Sequence, residues 1–245
     1  MRKSLIGLVV ALTAALALPT AAGAAASPTS PAPSGAQVYV VHGLPLPDTV
    51  TGSGTPVDVY VDGGQLLDDF TFGTTVGPVT LPAGTYQVQV RTPDGATTLI
   101  ERSVAVPASG SFSLVAGYVD AAGTPGLQVF ANDVTRPWGG FGAVALHHAA
   151  AAPAVDVDLG LFPLTRWLPW LKVQAIGAAP NGAQARFVLP TALSYTADVR
   201  VAGTSQVVLS VDDLRVRRNV LTNVYVVGSA ADGSLQALTS QVATR

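Results

Sequence analysis

The sequence predicts an all-β protein, two tandem β-sandwich domains behind an export signal. Three observations carry that prediction. Apolar residues recur with period two in short runs; residues that tolerate positive φ separate the runs at intervals of roughly eight to twelve positions; and one stretch of the chain is written twice.

The N-terminus, "MRKSLIGLVVALTAALALPTAAGAAAS", sets Arg2 and Lys3 before an apolar run from Leu5 to Leu18 and then small residues around Ala24–Ala26. This is the pattern of a secretory signal peptide, assigned to residues 1–26. The run is shorter than the roughly 20 apolar residues that span a bilayer. "SPTSPAPSGA" follows, and residues 27–35 read as a Pro/Ser-rich spacer. The chain has no cysteine and a formal charge of −2. Each domain is therefore expected to hold itself together by its own apolar core. With no basic run, neither nucleic acid nor an anionic membrane surface has an electrostatic claim on the sequence. The expected location is secreted, in association with the bacterial cell surface, without membrane insertion after signal cleavage.

In "TYQVQVR", Tyr86, Val88 and Val90 alternate with Gln87, Gln89 and Arg91, as in a strand with one buried and one wet face. Asp62-Gly63-Gly64, Asp94-Gly95, Asn181-Gly182 and Asp232-Gly233 supply the turns. No amphipathic helix of ordinary length is visible.

"TPVDVYVDGG" returns as "APAVDVDLG", each preceded by histidine in "VYVVHG" and "VALHHA". "YVDAAGTPGLQVF" likewise resembles "VVGSAADGSLQAL". Two homologous domains are expected, over 36–132 and 143–245, joined by a linker over 133–142 in which Trp138 and Phe141 pack at the junction. One closed sheet assembled from both halves is the alternative. The copies differ in two places. His42 and Asp58 stand 16 positions apart but His147 and Asp156 nine, which puts an insertion at "DTVTGSG"; and "LFPLTRWLPWL" follows the second Val-Asp-Val. Loops diverge where strands persist, so function is sought on the loops.

The elements "VYVVHGLP", "TPVDVYVDGG", "LPAGTYQVQVRTPDG" and "GSFSLVAGY" resemble the DUF4397 family. The second half resembles it more distantly, with "LPTALSY" in place of the Leu-Pro-Ala-Gly-Thr-Tyr element. The resemblance implies an extracellular bacterial antiparallel β-sandwich, immunoglobulin-like or transthyretin-like and often in tandem. It brings no activity and no catalytic residues.

His42 with Asp58, and His147 with Asp156, are expected to be structural: hydrogen-bonded across adjacent strands, or separately capping backbone groups. No Gly-x-Ser-x-Gly elbow and no cysteine offers a nucleophile for them. His147 and His148 are consecutive and, on a strand, face opposite sides, so they cannot share a metal. Glu101 is the only glutamate, and no facing carboxylate pair of a glycosidase can be picked. No catalytic residue, metal or cofactor is assigned. "LFPLTRWLPWL" gathers aromatics in a chain poor in them, and its two prolines forbid a regular strand or long helix. Packed, it covers the open edge or end of a sandwich, which is the expectation, with Arg166 at its rim. Exposed, it makes Phe162, Arg166, Trp167 and Trp170 a binding surface. The function expected is a non-catalytic binding, adhesion or structural module whose partner is an envelope protein or glycan. The alternatives are an accessory subunit of an envelope enzyme or a histidine-dependent hydrolase.

Overall fold

The long apolar runs of this chain and its alternating runs go to different layers. A computed structural model describes residues 35–46 and 56–245. The export signal, the spacer up to residue 34 and the "DTVTGSG" insertion lie outside the described residues. The described residues form one compact unit.

Sixteen strands are described. The first eight are β1 (Ala36–His42), β2 (Val57–Val61), β3 (Gly64–Phe70), β4 (Thr75–Leu81), β5 (Gly84–Arg91), β6 (Thr98–Val106), β7 (Ser111–Tyr118) and β8 (Pro125–Ala131). They build two four-stranded sheets, β4-β1-β7-β8 and β3-β2-β5-β6. The second eight are β9 (Phe141–His148), β10 (Val155–Phe162), β11 (Val173–Ala179), β12 (Gln184–Pro190), β13 (Ser194–Val201), β14 (Val207–Arg215), β15 (Val220–Val227) and β16 (Gln236–Ala243). They repeat that order as β12-β9-β15-β16 and β11-β10-β13-β14. Four separate sheets replace the alternative of one closed sheet. Pairing is antiparallel except for β1 with β7 and β9 with β15, the central pairs of two sheets, which run parallel.

The layers run outer sheet, inner sheet, inner sheet, outer sheet. Val38, Val40, Leu114 and Leu127 of one inner sheet meet Val59, Val88, Val90 and Ile100 of its outer sheet. Val144, Leu146, Val224 and Val226 meet Val155, Val157, Ala197 and Val199 in the second sandwich. The other faces of the two inner sheets close on each other: Val41, Val115 and Phe130 pack against Ala149, Tyr225 and Val227, and Tyr39 against Ala143, Ala145 and Leu221. Strands of an inner sheet are thus buried on both faces, and β9 and β15 read as near-continuous apolar runs for that reason. The outer strand β5 keeps the alternation seen in its sequence, with Val88 and Val90 buried. The β2–β3 turn has Asp62 at φ 49° and Gly63 at φ 80°, the positive pair that a two-residue hairpin following the strand twist requires.

Candidate functional site

The two halves part company where β10 ends. In the first sandwich β2 returns to β3 through the tight Asp62-Gly63 turn. In the second, β10 runs on to Phe162, which lies opposite Ser194 of β13, and the chain then makes a four-residue helix α1 (Leu164–Trp167) and a 3-10 turn (Pro169–Leu171) before β11. Three contacts tie this excursion to the outer sheet. Thr165 is buried, its hydroxyl donates to the Leu161 carbonyl at 3.0 Å, and its methyl lies where a Cβ on Gly160 would meet it at 2.4 Å, so the close approach needs glycine. Lys172 forms an ion pair with Asp198, which also accepts from the Ser210 hydroxyl at 2.8 Å. Arg166 pairs with Asp212 of β14 at 2.9 Å and sits 5.8 Å from the centre of the Phe162 ring.

With Thr165 turned to the sheet, Trp167, about 200° further round a helical turn, faces away. Trp167 is 80% exposed and Trp170 73% exposed. The expectation that this segment packs is therefore corrected: its small and charged side chains take the sheet, and its tryptophans are left in solvent. Trp138 is also corrected. It is 77% exposed and rests on Phe141, ring centres 4.8 Å apart, rather than packing into a junction.

All three tryptophans of the chain stand at one pole of the second sandwich. Strand register places the start of β9 beside the end of β12, and the end of β10 beside the starts of β11 and β13. Residues 191–193 then join β12 to β13 in a short turn. Between the sheets at this pole is a cleft of about 320 Å³, lined by Leu159, Leu161, Leu171, Ala175, Leu189 and Tyr195. The Tyr195 hydroxyl is committed to the Pro190 carbonyl at 3.0 Å, so the lining offers apolar surface and little else. Leu161, Leu164, Leu171 and Leu193 are exposed as well.

The duplicated histidines and aspartates lie elsewhere and do not form His–Asp pairs. Asp58, on β2, accepts the N–H of Asp69 at 3.0 Å; Asp156, on β10, accepts those of Ala178 at 2.8 Å and Gly203 at 2.9 Å. Asp69 and Ala178 both have φ of 47°, and the ladder slips beside each aspartate, between Val57 and Val59 and between Val155 and Val157. Each carboxylate therefore clamps a bulge of the neighbouring strand. Asp156→Ala should cost about 2–3 kcal/mol in urea unfolding, because two backbone N–H groups lose a charged acceptor. Asp58→Asn, which keeps a carbonyl oxygen for Asp69, should cost under about 1 kcal/mol. Asp58, Asp68 and Asp69 bring carboxylate oxygens within 4.8 Å of one another, but Asp58 is already engaged with the Asp69 N–H and Asp68 with the Gln65 amide.

His42 and His147 are not equivalent positions. On β1, His42 follows Val38 and Val40 on the face toward its own outer sheet, against Phe70 and Phe72. On β9, His147 follows Ala143 and Ala145 on the opposite face, between the sandwiches, stacked on Tyr225 at 4.9 Å and tilted on Phe130 at 4.7 Å. His148 shares the His42 face. Aligning the motifs by their nine-residue spacing shifts the strand by one residue, and with period two one residue exchanges faces. Burial lowers the pKa of both His42 and His147 to about 4, and lowers that of His148 too.

A network that the sequence did not announce surrounds His147. Asn223 donates from Nδ2 to Asn132 Oδ1 at 3.1 Å and to Ser240 Oγ at 3.4 Å, so its Oδ1 is the acceptor for His147 Nε2–H at 3.1 Å. Ser113 donates to Asn132 Oδ1 at 3.1 Å, leaving its lone pairs for the Tyr225 hydroxyl at 2.6 Å, which in turn accepts from Ser240 at 3.1 Å. Asn132 closes on Ser111 at 3.1 Å. Ser111, Ser113 and Asn132 belong to the first sandwich; the other four belong to the second.

A double β-sandwich is the class of protein that this geometry defines. The family model of DUF4397, a domain of unknown function, matches residues 36–158, and the chain belongs to that family. No curated protein matches the sequence. Among solved structures, the chain is similar to the CBMbc module (family CBM26) of Eubacterium rectale Amy13K, solved with maltoheptaose, at 9% identity and TM-score 0.25, covering 85% of this chain and 97% of that one. It is similar to the Bacillus anthracis TIE protein at 11% identity and TM-score 0.24, covering 80% and 34%. A DUF3823 family protein of Bacteroides ovatus aligns at 11% identity and TM-score 0.22, covering 74% and 98%. None of the described helices is long and apolar enough to cross a membrane.

Proposed function

We propose that the protein is an exported, non-catalytic binding module of the bacterial envelope, and that its ligand-facing surface is the tryptophan-bearing pole of the second sandwich. One observation carries the reading: three exposed tryptophans gather at one end, two of them on a segment fixed from behind by Thr165, Lys172 and Arg166. Exposed indoles on a rigid support present large area at little ordering cost, the property of a binding hot spot. Export follows from the N-terminal signal pattern. The non-catalytic reading is supported by the histidines, which are closed inside cores against aromatic rings and an asparagine among the described residues. We also infer that β9–β16 is a divergent copy of β1–β8, from the identical strand order and the shared aspartate clamp.

The test is sedimentation of the protein with isolated bacterial envelopes. Trp167→Ala/Trp170→Ala should bind roughly thirtyfold more weakly, the ~2 kcal/mol of a hot spot, with an unchanged melting temperature because both side chains are in solvent. Equal binding by wild type and variant would remove the segment as the site.

A further inference from the structure

Two features of the pole identify the kind of surface it meets. The first is charge. Arg166 is matched by Asp212, Arg215 by Asp213 and Lys172 by Asp198. Arg217 and Arg218, exposed in the turn from β14 to β15, have no carboxylate partner among the described residues, and Arg136 donates from Nε to the neutral Asn219 side chain at 2.9 Å. Three uncompensated guanidiniums thus stand among the tryptophans of a chain whose formal charge is −2. Arg217 and Arg218 are neighbours in "RVRR", and Arg136 joins them from some eighty positions earlier, so the sequence shows two of the three together but not the third.

The second feature is the shortage of hydrogen-bonding groups around the indoles. A sugar stacked on a tryptophan needs donors and acceptors at the ring's edge. Here Thr165, Lys172 and Tyr195 are spent on the protein itself, and the polar groups left free are guanidiniums, which donate and cannot accept. What remains is apolar surface and an apolar cleft, ringed by arginine without a carboxylate partner. Tryptophan, exposed leucine and arginine together are the composition that settles at a membrane–water interface, where the indole has one apolar and one wet end and the cation meets phosphate.

We propose that this pole docks onto the surface of an anionic phospholipid bilayer, with Trp138, Trp167 and Trp170 entering the headgroup zone and Arg136, Arg217 and Arg218 pairing with lipid phosphates. The proposal rests on the reading of the pole as the ligand-facing surface. It involves docking on the interface, with no span across it.

All three tryptophans of the chain lie at the pole, so intrinsic fluorescence reports on the pole alone. Titration with vesicles of phosphatidylglycerol and phosphatidylcholine should shift the emission to the blue and bring the protein down with the lipid; pure phosphatidylcholine should give a much weaker response. Arg217→Gln/Arg218→Gln should bind roughly thirtyfold more weakly, at about 1 kcal/mol per arginine near the surface, and added salt should weaken the wild type in the same direction. Trp167→Ala/Trp170→Ala should not sediment with the vesicles. No shift and no sedimentation at any anionic fraction would overturn the proposal, as would vesicle binding that both double variants retain. A shift with purified cell-wall glycan and none with vesicles would also overturn it, while leaving the pole as the binding surface. A shift on raising protein concentration alone would do the same, with a second copy of the chain as the occupant.

Discussion

As the pH falls from about 6.5 toward 4 the protein should lose stability steeply, by on the order of 1 kcal/mol per pH unit for each of two buried imidazoles. Burial holds His42 and His147 at a pKa of about 4 in the folded protein, against 6.5 when exposed. Between those values the unfolded chain binds protons that the folded one refuses, so stability rises with pH across the window. It is complete above about pH 6.5 and is lost as the pH falls toward the folded value. His148, lowered by burial as well, adds in the same direction. Both ring nitrogens of His42 are buried without a partner, facing Phe70 and Phe72. His42→Leu should therefore raise stability at pH 7 by on the order of 1–2 kcal/mol, since an unsatisfied polar ring is exchanged for an apolar side chain. It should also remove close to half of the pH slope. Urea unfolding at intervals from pH 7 to 4.5 reads both effects. A wild-type stability flat over that range, or an unchanged slope in His42→Leu, would sink this account of the histidines.

The same histidines show what a period-two sequence reveals and what it hides. "TYQVQVR" predicted a half-buried strand and became β5, because an outer strand has one wet face. "VYVV" and "VALHH" are buried on both faces, and alternation then no longer says which residue looks where. The motifs therefore align His42 with His147 although the two face different cores. The Val-Asp-Val repeat was legible as strand; that its aspartate clamps a bulge depends on the positive-φ residues Asp69 and Ala178, eleven and twenty-two positions away, which no local pattern encodes. The aromatic segment was found by composition. Its exposure was not, because whether a loop packs depends on what else fills the sheet, and here Thr165 and Lys172 reach it first. The unpaired arginines of the pole come from two separate loops, before β9 and between β14 and β15, and only the strand ends bring them together.

Asn223→Leu is expected to be the most damaging single polar-to-apolar change, costing about 3–4 kcal/mol. It removes the acceptor for His147 Nε2–H and a donor to Asn132 and Ser240, all buried where water cannot substitute. The loss falls on the seam between the sandwiches, where Val41, Val115 and Phe130 meet Tyr225 and Val227. An intact seam couples the two, and thermal unfolding of the wild type should be a single transition; in Asn223→Leu it should separate into two. The cost belongs to the groups left unpaired, so adding His147→Phe should return part of it. The imidazole that lost its partner becomes a ring of similar shape, still packed between Phe130 and Tyr225. A double-mutant cycle by calorimetry should show coupling of at least about 1 kcal/mol, with the double variant more stable than Asn223→Leu alone. Additive losses would mean that the seam is held by apolar packing and that the polar network contributes nothing of its own. Burial of seven hydrogen-bonding side chains in that seam would then cost free energy without return, which the closure of nearly every donor onto an acceptor argues against.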